Sequence, residues 1–147
     1  MRASDLSPEM QMRIFGKVEK PKPRIGLRKT AEDTFAHQCR AMKLPPPVRE
    51  HKFALADQRL WRFDFAWPDY LAALECEGLV IRQVYGETIV GGRHVTPTGF
   101  RSDALKYAYA AIKGWHVLRF EQSQVHNGTA IDHAILLLTA KGWNPNG

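Results

Sequence analysis

Between residues 59 and 67 large aromatic side chains fall on every second position: Trp61, Phe63, Phe65 and Trp67, with Arg62, Asp64 and Ala66 between them. A period of two is that of a β-strand, so the aromatics are placed on one face and Asp64 on the other. A strand is also predicted before it, over 51–56, joined through a turn near Ala56-Asp57-Gln58. Another follows over 70–77, after the turn signal Pro68-Asp69.

The period changes on either side of these strands. Ser7-Pro8-Glu9 supplies an N-cap and a first-turn proline, which predicts a short helix over 7–15. Pro21, Pro23 and Gly26 then interrupt any regular element, and the stretch reads as an extended arm. Thr30-Ala31-Glu32-Asp33 has the form of a capping box, with Phe35, Gln38, Cys39 and Met42 on one helical face. The helix is predicted over 31–43 and stops at Leu44-Pro45-Pro46-Pro47.

Residues 79–97 are Gly- and Thr-rich after Leu79-Val80-Ile81 and read as a loop. Thr98 opens a predicted helix over 100–113, with Phe100, Ala104, Tyr107, Ala108 and Ala111 as its buried side and Gly114 as its C-cap. A strand over 115–120 and a helix from Thr129 to about Ala140, ended by Gly142, complete the chain. The order is helix, three antiparallel strands, helix, strand, helix. It predicts an α/β fold with α+β-like order, a mixed sheet flanked by helices.

Composition narrows the class. A chain of 147 residues with 44% hydrophobic and 24% charged residues is read as one globular domain with a core of its own. The longest uncharged apolar run, 134–140, is far below the ~18 residues of a membrane span. The opening MRASDLSPEM lacks the apolar segment of a secretory signal, so a cytoplasmic location in a bacterium or phage-infected host is expected. Cys39 and Cys76 stand far apart without CxxC spacing and read as reduced thiols; the six histidines show no zinc-ligand spacing.

Charge is unevenly distributed. Residues 1–30 hold eight of the 21 basic residues and three of the 15 acidic ones, a net of +5. The chain therefore divides into a basic arm over 1–29 and a domain over 30–147. Lys17, Lys20, Lys22, Arg24, Arg28 and Lys29 of the arm suit a polyanion partner, above all nucleic acid, or a merely solubilising tail.

The acids carry the chemistry. Glu75 and Glu77 share a strand face by parity, and a hairpin about Pro68-Asp69 brings Asp64 near Glu75. Carboxylates that converge repel one another unless a cation lies among them, and oxygen-only ligands suit Mg²⁺ or Mn²⁺. The alternative is that all three acids are solvated on an exposed sheet face.

Asp64, the step of eleven residues to Glu75, and Glu77 before Gly78 together resemble the PD-(D/E)XK nuclease superfamily. The segments RFDFAWPDYLAALECEG and GGRHVTPTGFRSDALKYAYAAIKGWHVLRF, with the helix before them, look like a small phage-type branch that is similar to the very-short-patch repair endonucleases. The resemblance covers about residues 30–126 and implies a restriction-endonuclease-like core hydrolysing DNA phosphodiester bonds with Mg²⁺ or Mn²⁺. It implies that Asp64 and Glu75 are metal ligands. Glu77 departs from the superfamily's usual lysine, which leaves metal ligand and general base open for it.

By the same resemblance, His94 is a proton-transfer candidate and Arg93 a phosphate contact beside it. Glu32, Asp103 and Lys106 are accessory positions, Lys106 as the source of the missing positive charge; Tyr107 belongs to the same helix motif. Arg119 is either structural or phosphate-facing. The expected partner is duplex or branched DNA, with no membrane, and a symmetric substrate would favour a two-fold homodimer. Two rivals stand beside this reading: a catalytically silent nucleic-acid-binding module on the same fold, and a structural protein of a phage particle.

Overall fold

In chain order the elements are α1 (Ile25–Ala41), β1 (Val48–Lys52), β2 (Arg62–Trp67), β3 (Ala72–Glu77), β4 (Val80–Val84), β5 (Glu87–Gly91), α2 (Pro97–Ile112), β6 (His116–Glu121), α3 (Gln122–His126) and α4 (Thr129–Ala140). This computed structural model describes residues 25–147 apart from 79 and 92–96. The predicted 7–15 helix and the arm up to residue 24 lie outside the described residues.

β1, β2 and β3 pair antiparallel in succession, and β6 joins β3 in parallel, giving a four-stranded mixed sheet of order β1-β2-β3-β6. Helices cover both faces. On one, Phe35 and Cys39 of α1, Val125 of α3 and Ile131 and Leu138 of α4 bury Phe65, Trp67, Leu74 and Cys76. On the other, Ala110 of α2 packs with Phe63, Ala66 and Ala73 beside Phe53 and Trp115. Burial pushes the Cys39 thiol up to about 12, so it is inert at neutral pH. Among the described residues no helix is long and apolar enough to cross a membrane.

Several boundaries and faces differ from expectation. α1 starts at Ile25, so the apparent capping box at Thr30 lies inside the helix. β1 starts three residues earlier than predicted, because the chain leaves the proline run already extended; Leu55–Asp57 then forms a 3₁₀ turn.

The aromatic alternation of β2 also breaks. Phe65 and Trp67 face α1, but Phe63 stacks on Phe53 across the sheet's other face, with ring centroids 3.9 Å apart. The break falls at Asp64. Ladder pairs Arg49–Phe65 and His51–Phe63 flank Glu50, whose φ of 53° takes it out of extended backbone.

Residues 80–91, read as part of a loop, form a two-stranded hairpin instead. Tyr85 and Gly86 have φ of 51° and 80°, the pair of positive values that a type I′ turn requires and that matches strand twist. α3 was not expected either; Glu121 caps it by accepting from the Ser123 and Gln124 N–H groups. α2 and α4 end where expected, each in a Gly-Trp pair. Gly114 and Gly142 adopt φ of 85° and 101°, and the Trp115 and Trp143 N–H groups reach back to the Ala110 and Leu138 carbonyls.

The largest correction concerns α2. Its buried positions are Gly99, Asp103 and Ala110, with Lys106 and Tyr107 half-buried. Phe100, Ala104, Ala108 and Ala111, which the sequence assigned to its core side with Tyr107, are exposed. The helix turns its polar side inward because that side meets the acids of β3.

Candidate functional site

The β2–β3 ladder runs Trp67–Ala72, Ala66–Ala73, Phe65–Leu74, so the next step sets Asp64 opposite Glu75. There the backbone pairing gives way. The Cys76 N–H donates to Asp64 Oδ2 at 2.9 Å, a side-chain oxygen doing what a strand carbonyl would otherwise do. Both carboxylates are buried, Asp64 at 5% and Glu75 at 7% exposure. Burial of unpaired carboxylates at this depth would be prohibitive, so each must find donors.

Glu75 finds them on α2. Lys106 Nζ donates to one of its oxygens and the Tyr107 hydroxyl to the other. Glu77, on the same strand face, pairs with Arg119 of β6, whose guanidinium also lies 4.0 Å from Asp103. Asp103, Lys106 and Tyr107 share one face of α2 because they are spaced by three and four residues. Burial pushes the Glu75 carboxyl above its ordinary range, and Lys106 and Tyr107 only partly offset this. The Tyr107 hydroxyl is raised too, by burial and by the Glu75 charge.

This pairing gives a pH-dependent expectation. Lys106→Met removes the cation and raises the Glu75 carboxyl further. A carboxyl whose pKa is raised by folding adds stability below its ordinary value and loses that contribution as pH rises through the elevated one. Urea denaturation should therefore show a loss of about 3 kcal/mol at neutral pH, in the range for breaking a buried ion pair. The loss should shrink as pH falls toward the ordinary glutamate range. A loss that does not change with pH would remove Glu75 as its cause.

A second set of acids meets Asp64 from the other side. One carboxylate oxygen from each of Glu32, Glu50 and Asp64 lies within 4.8 Å of the others. Arg49 holds Glu32 at 3.0 Å and Arg62 holds Glu50 at 2.6 Å. Glu32, an accessory position by sequence, is thus brought to the metal-ligand candidate Asp64. Its distance from the start of α1 removes the helix dipole as the reason for an acid there. Glu50 was not foreseen, because the strand is predicted to begin at residue 51, one position past it.

A cleft of about 320 Å³ opens over Asp64, lined also by Trp61, Glu75, Glu77, Asp103 and Lys106 among others. Asp64 therefore joins two groups, Glu75 and Glu77 along the cleft and Glu32 and Glu50 at the sheet end. The donor set is oxygen-only, as a hard divalent cation requires. The remaining predicted positions divide as follows. Arg28 and Lys29 lie on α1 and Arg119 is ion-paired to Glu77, while Lys17, Lys20, Lys22, Arg24, Arg93 and His94 lie outside the described residues.

Comparison with protein-family models, with curated proteins and with solved structures finds no match to this chain.

Proposed function

We propose that this chain is a metal-dependent DNA endonuclease with a restriction-endonuclease-like core, acting on duplex or branched DNA. The observation that carries the reading is the placing of Asp64 opposite Glu75 at the break in the β2–β3 ladder, with Glu32 and Glu50 on Asp64's other side. Order of strands, helices on both faces and the parallel β3–β6 pair are consistent with it.

Asp64 and Glu75 would hold Mg²⁺ or Mn²⁺, with Glu32 and Glu50 within reach of Asp64. Such an ion lowers the pKa of bound water and neutralises charge on the scissile phosphate. Hydrolysis adds the water oxygen to phosphorus as the bond to one sugar oxygen breaks. The proton lost by the water needs an acceptor. Glu77, fixed by Arg119, is the candidate within the described residues, and His94 is the other candidate by resemblance. Lys106 supplies positive charge beside Glu75, the service a strand lysine would give. The basic residues of 1–29 would hold the DNA backbone without reading sequence.

The deciding experiment compares cleavage of four-way-junction, nicked, mismatched and plain duplex DNA with Mg²⁺, with Mn²⁺ and with EDTA. Cleavage of at least one substrate, abolished by EDTA and restored by the metal, is expected. One observation favours a second reading, a silent DNA-binding module: both Glu75 oxygens are already engaged by Lys106 and Tyr107. Salt-dependent DNA binding without cleavage under any metal would select it.

A further inference from the structure

Among the described residues, α2 is the helix that turns a mostly apolar side outward. From Phe100 to Ile112 its exposed residues are Phe100, Arg101, Ala104, Leu105, Ala108, Ala111 and Ile112. All but Arg101 are apolar. Phe100, Leu105 and Ile112 are 67%, 60% and 82% exposed. A surface helix ordinarily shows the reverse arrangement, with apolar residues inward and charged residues outward. Here the inward positions are taken by Asp103, Lys106 and Tyr107, and the apolar stripe looks out.

We infer that this face of α2 is the contact surface for a second copy of the same chain, with the two α2 helices crossing antiparallel about a two-fold axis between Ala104 and Ala108. The inference does not depend on the nuclease reading. Its first support is that the stripe is self-complementary, as an isologous interface must be. An antiparallel pairing centred there sets Phe100 opposite the partner's Ile112 and Ala104 opposite the partner's Ala108. Large residues thus lie at the two ends and small ones at the centre, where two helix axes must come within 8–10 Å.

The second support is charge. Arg101 is the single ion on the face, in the first half of the helix. The same pairing sets it opposite the partner's Ala111, beside the C-terminal end of the partner's α2. That end carries the negative pole of the helix dipole, and the exposed Lys113 just beyond it is paired with Asp57 at 3.9 Å, so Arg101 meets no unbalanced cation there.

Area sets the strength. Three large side chains and three alanines offer on the order of 500 Å² of apolar surface per copy, comparable to the largest patches on monomers. That is below the ~800 Å² per partner of a standard stable interface, so association in the micromolar range is expected. Nucleic acid is a poor occupant for such a face, since it would ask for a row of cations where there is one.

The test uses the full chain. Sedimentation equilibrium from about 1 μM to about 500 μM should show a monomer–dimer equilibrium, and Ala108→Glu should weaken it at least about tenfold. A thermal melt verifies that the variant is folded, as expected at an exposed position. Ala104→Cys and Ala108→Cys proteins mixed under mild oxidation should form a disulfide-linked dimer, and neither alone should match the mixture. The native Cys39 and Cys76 are buried and do not compete. A chain that is monomeric at every concentration overturns the inference, and so does a dimer that Ala108→Glu leaves unchanged. If the full chain is monomeric but dimerises when residues 1–24 are removed, the face is covered by that segment and the inference also fails.

Discussion

Asp64→Asn is expected to lower metal-dependent DNA cleavage by about 10³-fold or more, while leaving the fold standing. Asparagine has nearly the same shape, and its side-chain oxygen can still accept the Cys76 N–H that Asp64 accepts at 2.9 Å. What it lacks is the negative charge. That charge faces both the Glu75 group and the Glu32–Glu50 group, so its loss would weaken the proposed cation binding. Replacement by alanine would be a poorer test, since it also strands a buried N–H at a cost of about 1–3 kcal/mol. The measurement is single-turnover cleavage beside a thermal melt. An Asp64→Asn protein that cleaves within tenfold of the parent would refute the assignment of Asp64.

Phe35→Ala is expected to cost about 3–5 kcal/mol of folding free energy, the range for deleting a fully buried aromatic side chain. Phe35 is 0% exposed and meets Phe65 edge-to-face at 4.8 Å and Trp67 at 6.4 Å between ring centroids. It is the ring through which α1 clamps β2, and its core neighbours on α1, Ala31 and Cys39, are too small to fill the void. A domain of this kind has about 5–15 kcal/mol in total, so much of the margin disappears. Urea midpoints for Phe35→Ala and Phe35→Leu should separate clearly, with leucine retaining most of the packing. A loss below about 1 kcal/mol for alanine would mean that α1 does not depend on this contact.

How far these features could be read in advance follows from which forces fix them. The β2–Pro68–β3 hairpin was legible because its turn signal, its strand period and its register all come from one short segment. That segment alone brings Asp64 to Glu75. Gly114 and Gly142 were legible for the same reason, since a positive φ at a helix end selects glycine locally. The approach of Glu50 was not, because it depends on β1 starting at Val48, before the predicted residue 51, and nothing in VREHK marks that start. The inward side of α2 was misread because periodicity marks apolar stripes and does not say what the stripe meets. Lys106 was singled out by resemblance, whereas its partnership with Glu75 through burial and charge is tertiary. The parity rule failed at Phe63 because a side chain, Asp64, replaced the backbone in one rung of the ladder.

The placement of the ion pairs along the chain bears on the order in which the fold can assemble. Asp64 and Cys76 are 12 residues apart, but Lys106 and Arg119 reach their acids across 31 and 42 residues. Closing the longest of these loops costs roughly 1 kcal/mol more entropy than closing the hairpin, so local pairing leads and the parallel β3–β6 pairing follows. Glu75 and Glu77 consequently meet Asp64 before Lys106 and Arg119 arrive. A half-built sheet at neutral pH is a set of crowded like charges, which disfavours any long-lived stop at that stage. Docking of α2 and β6 then supplies both the packing and the neutralisation in one event, so the chemistry that makes the cleft acidic also binds the two halves of the sheet into a single cooperative unit.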